Sequence, residues 1–504
     1  MNLVLDKDYV FKRKKIGRVG IIDVGSNSVR LVVFAGFSRS PTYFFNEKVL
    51  CGLGKGLSYD NKLNVVGKEK AIRAIHRFLA ITKKMNLTEL VGVATAAVRN
   101  ASDGPQFVKQ VEKETSLKLF VASGGEEAEL SANGVLLGWP DAHGLVCDIG
   151  GGSLEVADVA GERVGVCETS GLGALVLADF SGSKRELKKH IQKSVKKLVS
   201  GSKVSSKNLY LVGGSFRAFA KVDMALAHYP LRVLHEYKIC RRQALETAKR
   251  VLEADTEALQ NLCGSSAERV EFLPMAALVL IELIKTLAPK HIYFSSYGLR
   301  EGILFYQMPE NIKKLDPLIE ACRYQEVLAA RFPGFGEHLF NWILPIFEKI
   351  KAPDKRLFRA ACLLHDTTWR AHPDYRSEMS FETVTRANLG GIDHEGRIFL
   401  ALALMSRYKK VTISKQLEGP LRILNIRRSK LAISLGRAMR LGAMLSGSSI
   451  VNLKKSEILV NEKTIILTLK KSALKLAADT VERRLEALAT GLNMGYSIKT
   501  KEKK

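Results

Sequence analysis

Two short stretches of the chain carry the residue types that hold phosphate. Ile22-Asp23-Val24-Gly25-Ser26-Asn27-Ser28-Val29 and Cys147-Asp148-Ile149-Gly150-Gly151-Gly152-Ser153-Leu154 share one pattern: apolar, Asp, apolar, Gly, two small or polar residues, Ser, apolar. Glycine lets backbone N–H groups approach an anion closely. Successive turn N–H groups form an anion-binding nest, and a serine hydroxyl adds one more donor. Gly25, Ser26, Asn27 and Ser28 are therefore one candidate phosphate loop, and Gly150, Gly151, Gly152 and Ser153 the other. One such loop carries little weight, because turns rich in Gly and Ser are common. Two of them, with Asp148 standing 125 residues after Asp23, indicate a duplicated α/β unit whose halves grip one phosphate group from opposite sides.

The carboxylates pose a problem that a cation would solve. Asp23 and Asp148 each end a strand beside a loop, where a bare carboxylate repels phosphate. Magnesium prefers hard oxygen ligands and binds through few carboxylates plus water and substrate phosphate. Glu155, on the strand leaving the second loop, can reach the same ion. The plainer reading of either Asp is a turn cap. Ser123-Gly124-Gly125-Glu126-Glu127-Ala128-Glu129-Leu130 follows a strand and opens a helix. A Glu there can deprotonate an attacking water. Acidic residues in a first helical turn also suit the helix dipole, and on the residues alone that reading is the stronger. Arg99, after Thr95-Ala96-Ala97-Val98, can offset charge on a transferred phosphoryl group or be an ordinary surface arginine.

The elements that must position these groups are legible in outline. Residues 16–37 predict two strands around a tight loop, and 145–160 repeat that arrangement. Helical periodicity covers 67–85, followed by strands at Leu90–Ala94 and Leu119–Val121 with a helix at about 103–116 between them. A third glycine turn, Gly213-Gly214-Ser215-Phe216-Arg217, follows a strand at Leu209–Val212. Helices are expected over 240–286, a strand at His291–Phe294 and a helix opening at Gly298. From about Asn311 the pattern is mainly helical, with a hairpin at 458–467, a basic-faced helix over about 472–491 and a solvated tail.

The chain of 504 residues carries 78 Lys and Arg against 51 Asp and Glu, a formal net charge of +27. Such a charge draws in polyanions. Seven cysteines, odd in number and without metal-ligand spacing, argue for reduced, mostly buried thiols and a cytoplasmic protein. The N-terminal stretch to Lys15 does not read as a signal peptide. The longest apolar run, Phe272–Ile281, is too short to span a bilayer, so no transmembrane segment is expected.

At IIDVGSNSVRLVVF, GVATAAVRNA, SGGEEAEL…NGVLLGW, LVCDIGGGSLEV and SYGLREGIL, in that order over residues 21–304, the chain resembles the exopolyphosphatase / guanosine pentaphosphate phosphohydrolase family. The resemblance implies an α/β protein of duplicated actin-like (ribonuclease H-like) domains, 16–140 and 141–310, and a mainly helical HD-related region, 311–504, that dimerises and lines a basic channel. It implies Glu127 as the water-activating base, with Glu126 as the alternative one residue away. It implies Asp148 and Glu155 as metal-associated carboxylates with Asp23 nearby, Mg2+ as cofactor and Arg99 as a phosphate contact. The chain departs from the family in having Glu129 where Arg is common, and in its bulkier third turn. Leu364-His365-Asp366, with His372, Asp393 and His394, offers too few ligands for a working HD metal site, so a vestigial one is expected.

The expected function is processive release of orthophosphate from the end of inorganic polyphosphate. The alternatives are guanosine pentaphosphate 5′-phosphohydrolysis, or both activities. A sugar or acetate kinase is disfavoured by the altered third turn, and a non-catalytic polyphosphate-binding protein by the joint presence of Glu127, Asp148 and Glu155. P-loop, HExxH and GxSxG signatures are absent.

Overall fold

The computed structural model describes residues 17–36, 38–202, 207–264, 270–347, 350–411 and 415–501. They fall into two compact units, divided between Leu315 and Asp316.

The first unit is built on two sheets of the same plan. One contains β1 (Arg18–Val24), β2 (Ser28–Phe34), β3 (Tyr43–Leu50), β4 (Leu87–Ala94) and β5 (Leu119–Val121), in the order β3-β2-β1-β4-β5. The other contains β6 (His143–Ile149), β7 (Leu154–Ala160), β8 (Arg163–Ser170), β9 (Asn208–Val212), β10 (Tyr237–Cys240) and β11 (His291–Phe294), in the order β10-β11-β9-β6-β7-β8. In each, the first two strands form an antiparallel hairpin and the first strand then pairs in parallel with a strand beyond a helix. The hairpins superpose in register as well: Asp23 lies opposite Arg30, and Asp148 opposite Glu155. The strand cores are apolar on both faces (Val19, Ile21, Ile22 and Val24 are wholly buried), as strands covered by helices on both sides must be.

The principal helices of this unit are α1 (Val65–Thr82), α2 (Gly104–Thr115), α3 (Gly124–Gly138), α4 (Lys184–Val199), α5 (Gly214–Leu226), α6 (Arg241–Glu253), α7 (Leu273–Leu287) and α8 (Leu299–Gln307). α3 and α8 meet backbone to backbone. A Cβ at Gly302 would stand 1.6 Å from the Leu130 carbonyl oxygen, so glycine is required for this approach. That contact fixes Glu127, on α3, relative to Arg300, on α8.

The second unit is helical, with α9 (Pro317–Ala329), α10 (Ala352–Leu364), α11 (Arg376–Arg386), α12 (His394–Tyr408), α13 (Ile426–Ser446) and α14 (Asp479–Leu492) as its main helices. A small sheet, β12 (Ser456–Asn461), β13 (Thr464–Lys470) and β14 (Gly495–Lys501), completes it. The expected hairpin is β12–β13. The tail differs from expectation: residues up to Lys501 form β14, paired in parallel with β13, because alternating Tyr496 and Ile498 extend the sheet. The expected helix over 472–491 is a 3-10 turn, Lys471–Leu476, followed by α14. The expectation for the N-terminal stretch to Lys15 lies outside the described residues. The seven cysteines, all among the described residues, form no disulfide; five are buried, Cys167 is partly exposed and Cys240 is exposed. No helix among the described residues is long and apolar enough to cross a membrane.

Candidate active site

The two glycine loops are built alike and face each other. Gly25 N–H donates to the Ser28 carbonyl at 3.0 Å, and Gly150 N–H to the Ser153 carbonyl at 2.9 Å, closing equivalent turns. Across the gap, a Cβ at Gly152 would lie 3.0 Å from Ser26 Oγ. A cavity of about 340 Å3 opens at this junction, lined by Ser26, Gly54, Ser58 and Asn100 from one half and Gly152 and Gly171 from the other. Beside it, Ser58 Oγ donates to Asp179 Oδ2 at 3.2 Å and Tyr59 OH to the Asp179 carbonyl at 3.0 Å, tying the two halves together.

The structure separates the two adjacent glutamates of α3. Glu126 belongs to the helix end: it accepts from Ser123 N–H at 2.8 Å while Ser123 Oγ accepts from Glu126 N–H, a reciprocal capping box. Its carboxyl is held below the usual range by those bonds. Glu127 turns inward and is 9% exposed. Its Oε2 accepts from Arg99 Nη1 at 2.8 Å, and the same nitrogen donates to the Ala122 carbonyl. Burial pushes the Glu127 carboxyl up to about 7; Arg99 opposes this, and Asp148 and Asp23 add to it. A carboxyl poised there can accept a proton near neutrality.

Asp148 and Glu155 stand opposite each other on β6 and β7, Glu155 buried and Asp148 half-buried. Asp148 accepts a short hydrogen bond from Ser131 Oγ, and Glu155 Oε1 accepts from Thr169 Oγ1 at 3.0 Å. Burial raises both carboxyls, Glu155 strongly, with Glu127 adding to the rise at Glu155. Among the described residues no three His, Cys, Asp or Glu side chains already form a finished metal cage. The fit is nevertheless good for a hard cation that keeps water and phosphate ligands: a buried and a half-buried carboxylate on paired strands, with serine and threonine hydroxyls bonded to them.

Asp23 is placed differently from Asp148. Its Oδ2 accepts from Arg300 Nη1 at 2.7 Å, so it is half of an ion pair across the α8 contact. Arg300 is buried against its own charge, yet Asp23 and Glu301 raise its pKa. Arg30 and Arg217 extend this group. Burial, then Arg300 and Arg217, lower Arg30 to about 10, while burial and Arg300 lower Arg217. Sequence reasoning assigned no role to Arg300, Arg217, Ser131 or Thr169. One signal was present for Arg30: the duplication sets it opposite Asp23 as Glu155 is set opposite Asp148. The third turn is tight because Gly213, at φ 104°, packs against Asp148: a Cβ there would come 2.9 Å from Asp148 Oδ1.

The residues of the suggested HD centre are not brought together. Asp366 is gripped by Arg331 through bonds of 2.8 and 2.7 Å. Asp393 caps α12 through Gly396 N–H, and His372 is exposed.

Two α/β halves of one topology, with paired phosphate-type loops at their junction, define an actin-like protein built to handle phosphoryl groups. The model of the Ppx/GppA phosphatase family matches residues 32–311, and the model "Exopolyphosphatase, C-terminal" matches residues 318–497. The chain belongs to the Ppx/GppA phosphatase family. It is 29% identical over 314 residues to exopolyphosphatase 1 of Mycobacterium tuberculosis, covering 58% of this chain and 88% of that protein. It is 24% identical over 438 residues to retrograde regulation protein 2 of Saccharomyces cerevisiae, covering 77% and 72%. The crystal structure of an exopolyphosphatase from Cytophaga hutchinsonii shares the fold, with a TM-score of 0.53 at 21% identity over 58% of this chain and 97% of that one.

Proposed function

We propose that this protein is an exopolyphosphatase: it removes orthophosphate from the end of inorganic polyphosphate by attack of water on the terminal phosphorus. The observation that supports this most directly is one buried carboxyl, Glu127, raised to about 7 and grouped with Asp148, Asp23 and Glu155, the carboxylates that flank the two facing phosphate-type loops. In this reading the halves 16–140 and 141–310 act as two lobes. The N–H groups and hydroxyls of Gly25–Ser28 and Gly150–Ser153 hold the terminal phosphate. Glu127 Oε accepts the proton of the attacking water as the oxygen bonds to phosphorus, and the shortened chain leaves with the electrons of the broken P–O bond. Arg99 holds Glu127 in place and offsets charge on the phosphoryl oxygens.

Asp148 and Glu155 would hold Mg2+, with Asp23 shaping the field through Arg300. The ion supplies counter-charge for the phosphate oxygens in the leaving chain. The net charge of +27 favours a long polyanion as substrate. A cytoplasmic location, supported by seven cysteines of odd number without metal-ligand spacing, and a homodimer belong to the same proposal.

The test is phosphate release with magnesium from long-chain polyphosphate and from guanosine pentaphosphate, at equal terminal-phosphate concentration. A clear preference for the polymer is expected. A preference for the nucleotide would replace this reading with guanosine pentaphosphate hydrolysis.

A further inference from the structure

In the first unit, α4 carries a stripe of cations without acidic partners among the described residues. Six lysines and Arg185 stand on this helix against one acid, Glu186, and all seven cations are exposed. Glu186 is occupied at the helix end: its Oε2 accepts from Ser183 N–H at 2.8 Å and from Ser183 Oγ at 2.7 Å. None of the seven cationic side chains forms an ion pair or hydrogen bond among the described residues. From Lys184 to Lys197 the row extends about 20 Å along the helix. Lys189, Lys193 and Lys197 follow one another at four-residue spacing, where like charges repel and weaken a helix. The helix forms because Ser183 and Glu186 make a capping box and because Ile191, Val195 and Leu198 pack into the core.

Beside the stripe lies an apolar groove of about 190 Å3. Its walls are Ile191 of α4, Leu252 of α6, and Leu278 and Ile281 of α7, with Lys188 on the α4 side. Leu252 is 40% exposed, so the groove opens to solvent. The carboxyl that lines it, Glu282, is 5% exposed and held by Lys285 Nζ at 2.9 Å. Lys188 therefore keeps its charge beside apolar walls. On α6, Glu246 and Glu253 face their own cations, Arg242 and Lys249, each at 3.8 Å.

A row of cations with an apolar slot at its edge matches amphiphiles that carry anionic heads. The groove is smaller than the pockets of about 300–1,000 Å3 that hold drug-sized ligands, but it admits a short hydrocarbon segment. Its apolar walls have no use for a bare phosphate, and α4 bears no Phe, Tyr or Trp on which a base could stack. α4 also differs from helices that insert into a membrane interface. Its own apolar side is buried in the core, so attraction must come from charge. Clusters of about four to eight Lys or Arg on a helix are drawn to anionic lipid. We propose that α4 and the groove beside it dock the protein on an anionic lipid surface, the cations over the headgroups and the groove around the upper part of one acyl chain. No residue of this surface belongs to the two phosphate-type loops, and docking of this kind needs no spanning helix.

The test is co-sedimentation of the full chain, at low salt, with vesicles of phosphatidylglycerol in phosphatidylcholine and with vesicles of phosphatidylcholine alone. Wild type should bind the anionic vesicles and leave the neutral ones. The triple variant Lys189→Gln/Lys193→Gln/Lys197→Gln should bind the anionic vesicles on the order of a hundredfold more weakly. It should melt no lower than wild type, because repulsion along the helix is relieved, so its loss of binding is not a loss of fold. The triple Lys→Arg variant at the same positions should bind as wild type does. Leu252→Asn, at a half-exposed position, should weaken vesicle binding on the order of fivefold with every cation in place. Equal binding to the two kinds of vesicle, or unchanged binding by the Gln variant or by Leu252→Asn, would overturn the proposal. An RNA oligonucleotide titrated in parallel separates the other class of polyanion. If the Gln variant loses affinity for RNA while wild type ignores both vesicles, the stripe is a nucleic-acid surface and the lipid proposal fails.

Discussion

Replacing Arg99 by Ala should raise the pH at which Glu127 gives up its proton. Burial sets Glu127 at about 7, and Arg99, through its 2.8 Å bond and its charge, is the chief influence holding it down. An opposite charge at this range depresses a carboxyl by about 1–3 units; the pair is mostly shielded from water (Arg99 19% and Glu127 12% exposed) and little screened, so the lower figure, about 1 unit, is the least shift to expect. At about pH 7 the ionised fraction of Glu127 then falls from about one-half to about one-tenth, roughly a fivefold loss of rate. Near pH 9 both forms are largely ionised and this loss disappears. The assay is kcat/KM for phosphate release from polyphosphate across this range at constant magnesium. Loss that persists near pH 9 measures the contact of Arg99 with the phosphoryl group itself. An acid limb that stays in place, or moves to lower pH, would refute the link between Arg99 and Glu127.

Other substitutions separate the remaining groups. Glu126→Ala should cost about 0.3–1.5 kcal/mol of stability through the lost half of the capping box, seen as a lower melting temperature, with turnover nearly unchanged. Glu127→Gln should stabilise the metal-free protein above neutrality. A carboxyl raised on folding binds its proton more tightly in the folded chain, so stability falls as pH rises from about 4.5 to about 7. Removing the group returns up to roughly 3 kcal/mol at about pH 8 and nothing near pH 4, which denaturation at the two pH values checks. Asp148→Asn should raise the magnesium concentration needed for half-maximal rate by about tenfold or more; an unchanged requirement in a metal titration would remove Asp148 from the ion site.

Much of this arrangement could be read before any coordinates. The paired Asp-x-Gly stretches encode the duplication because a strand, a turn and a strand are local, and local pattern survives in sequence. The two hairpins follow that reading closely, and β4 and β9 form where strands are expected. The edge strands β3 and β8 were not legible, since their half-exposed faces lack a continuous apolar run. β14 reads as a tail in sequence because its polar residues outnumber its apolar ones, and only the neighbouring β13 makes it a strand. At the site, residue type alone does not separate Glu126 from Glu127, and only the resemblance favours Glu127. What distinguishes them is three-dimensional: the cap takes Glu126, and helix rotation turns Glu127 inward. Asp23 and Asp148 look equivalent in the repeat, yet Arg300, distant in sequence, claims Asp23 alone.

The most direct test of the central claim is phosphate release by Glu127→Gln beside wild type, with polyphosphate binding measured on the same samples. The account predicts that turnover falls by several orders of magnitude while polymer affinity stays within about threefold, since the loops that hold phosphate are intact. A variant that still turns over at a comparable rate, or that loses its affinity for the polymer together with its rate, would contradict the assignment of Glu127 as the base.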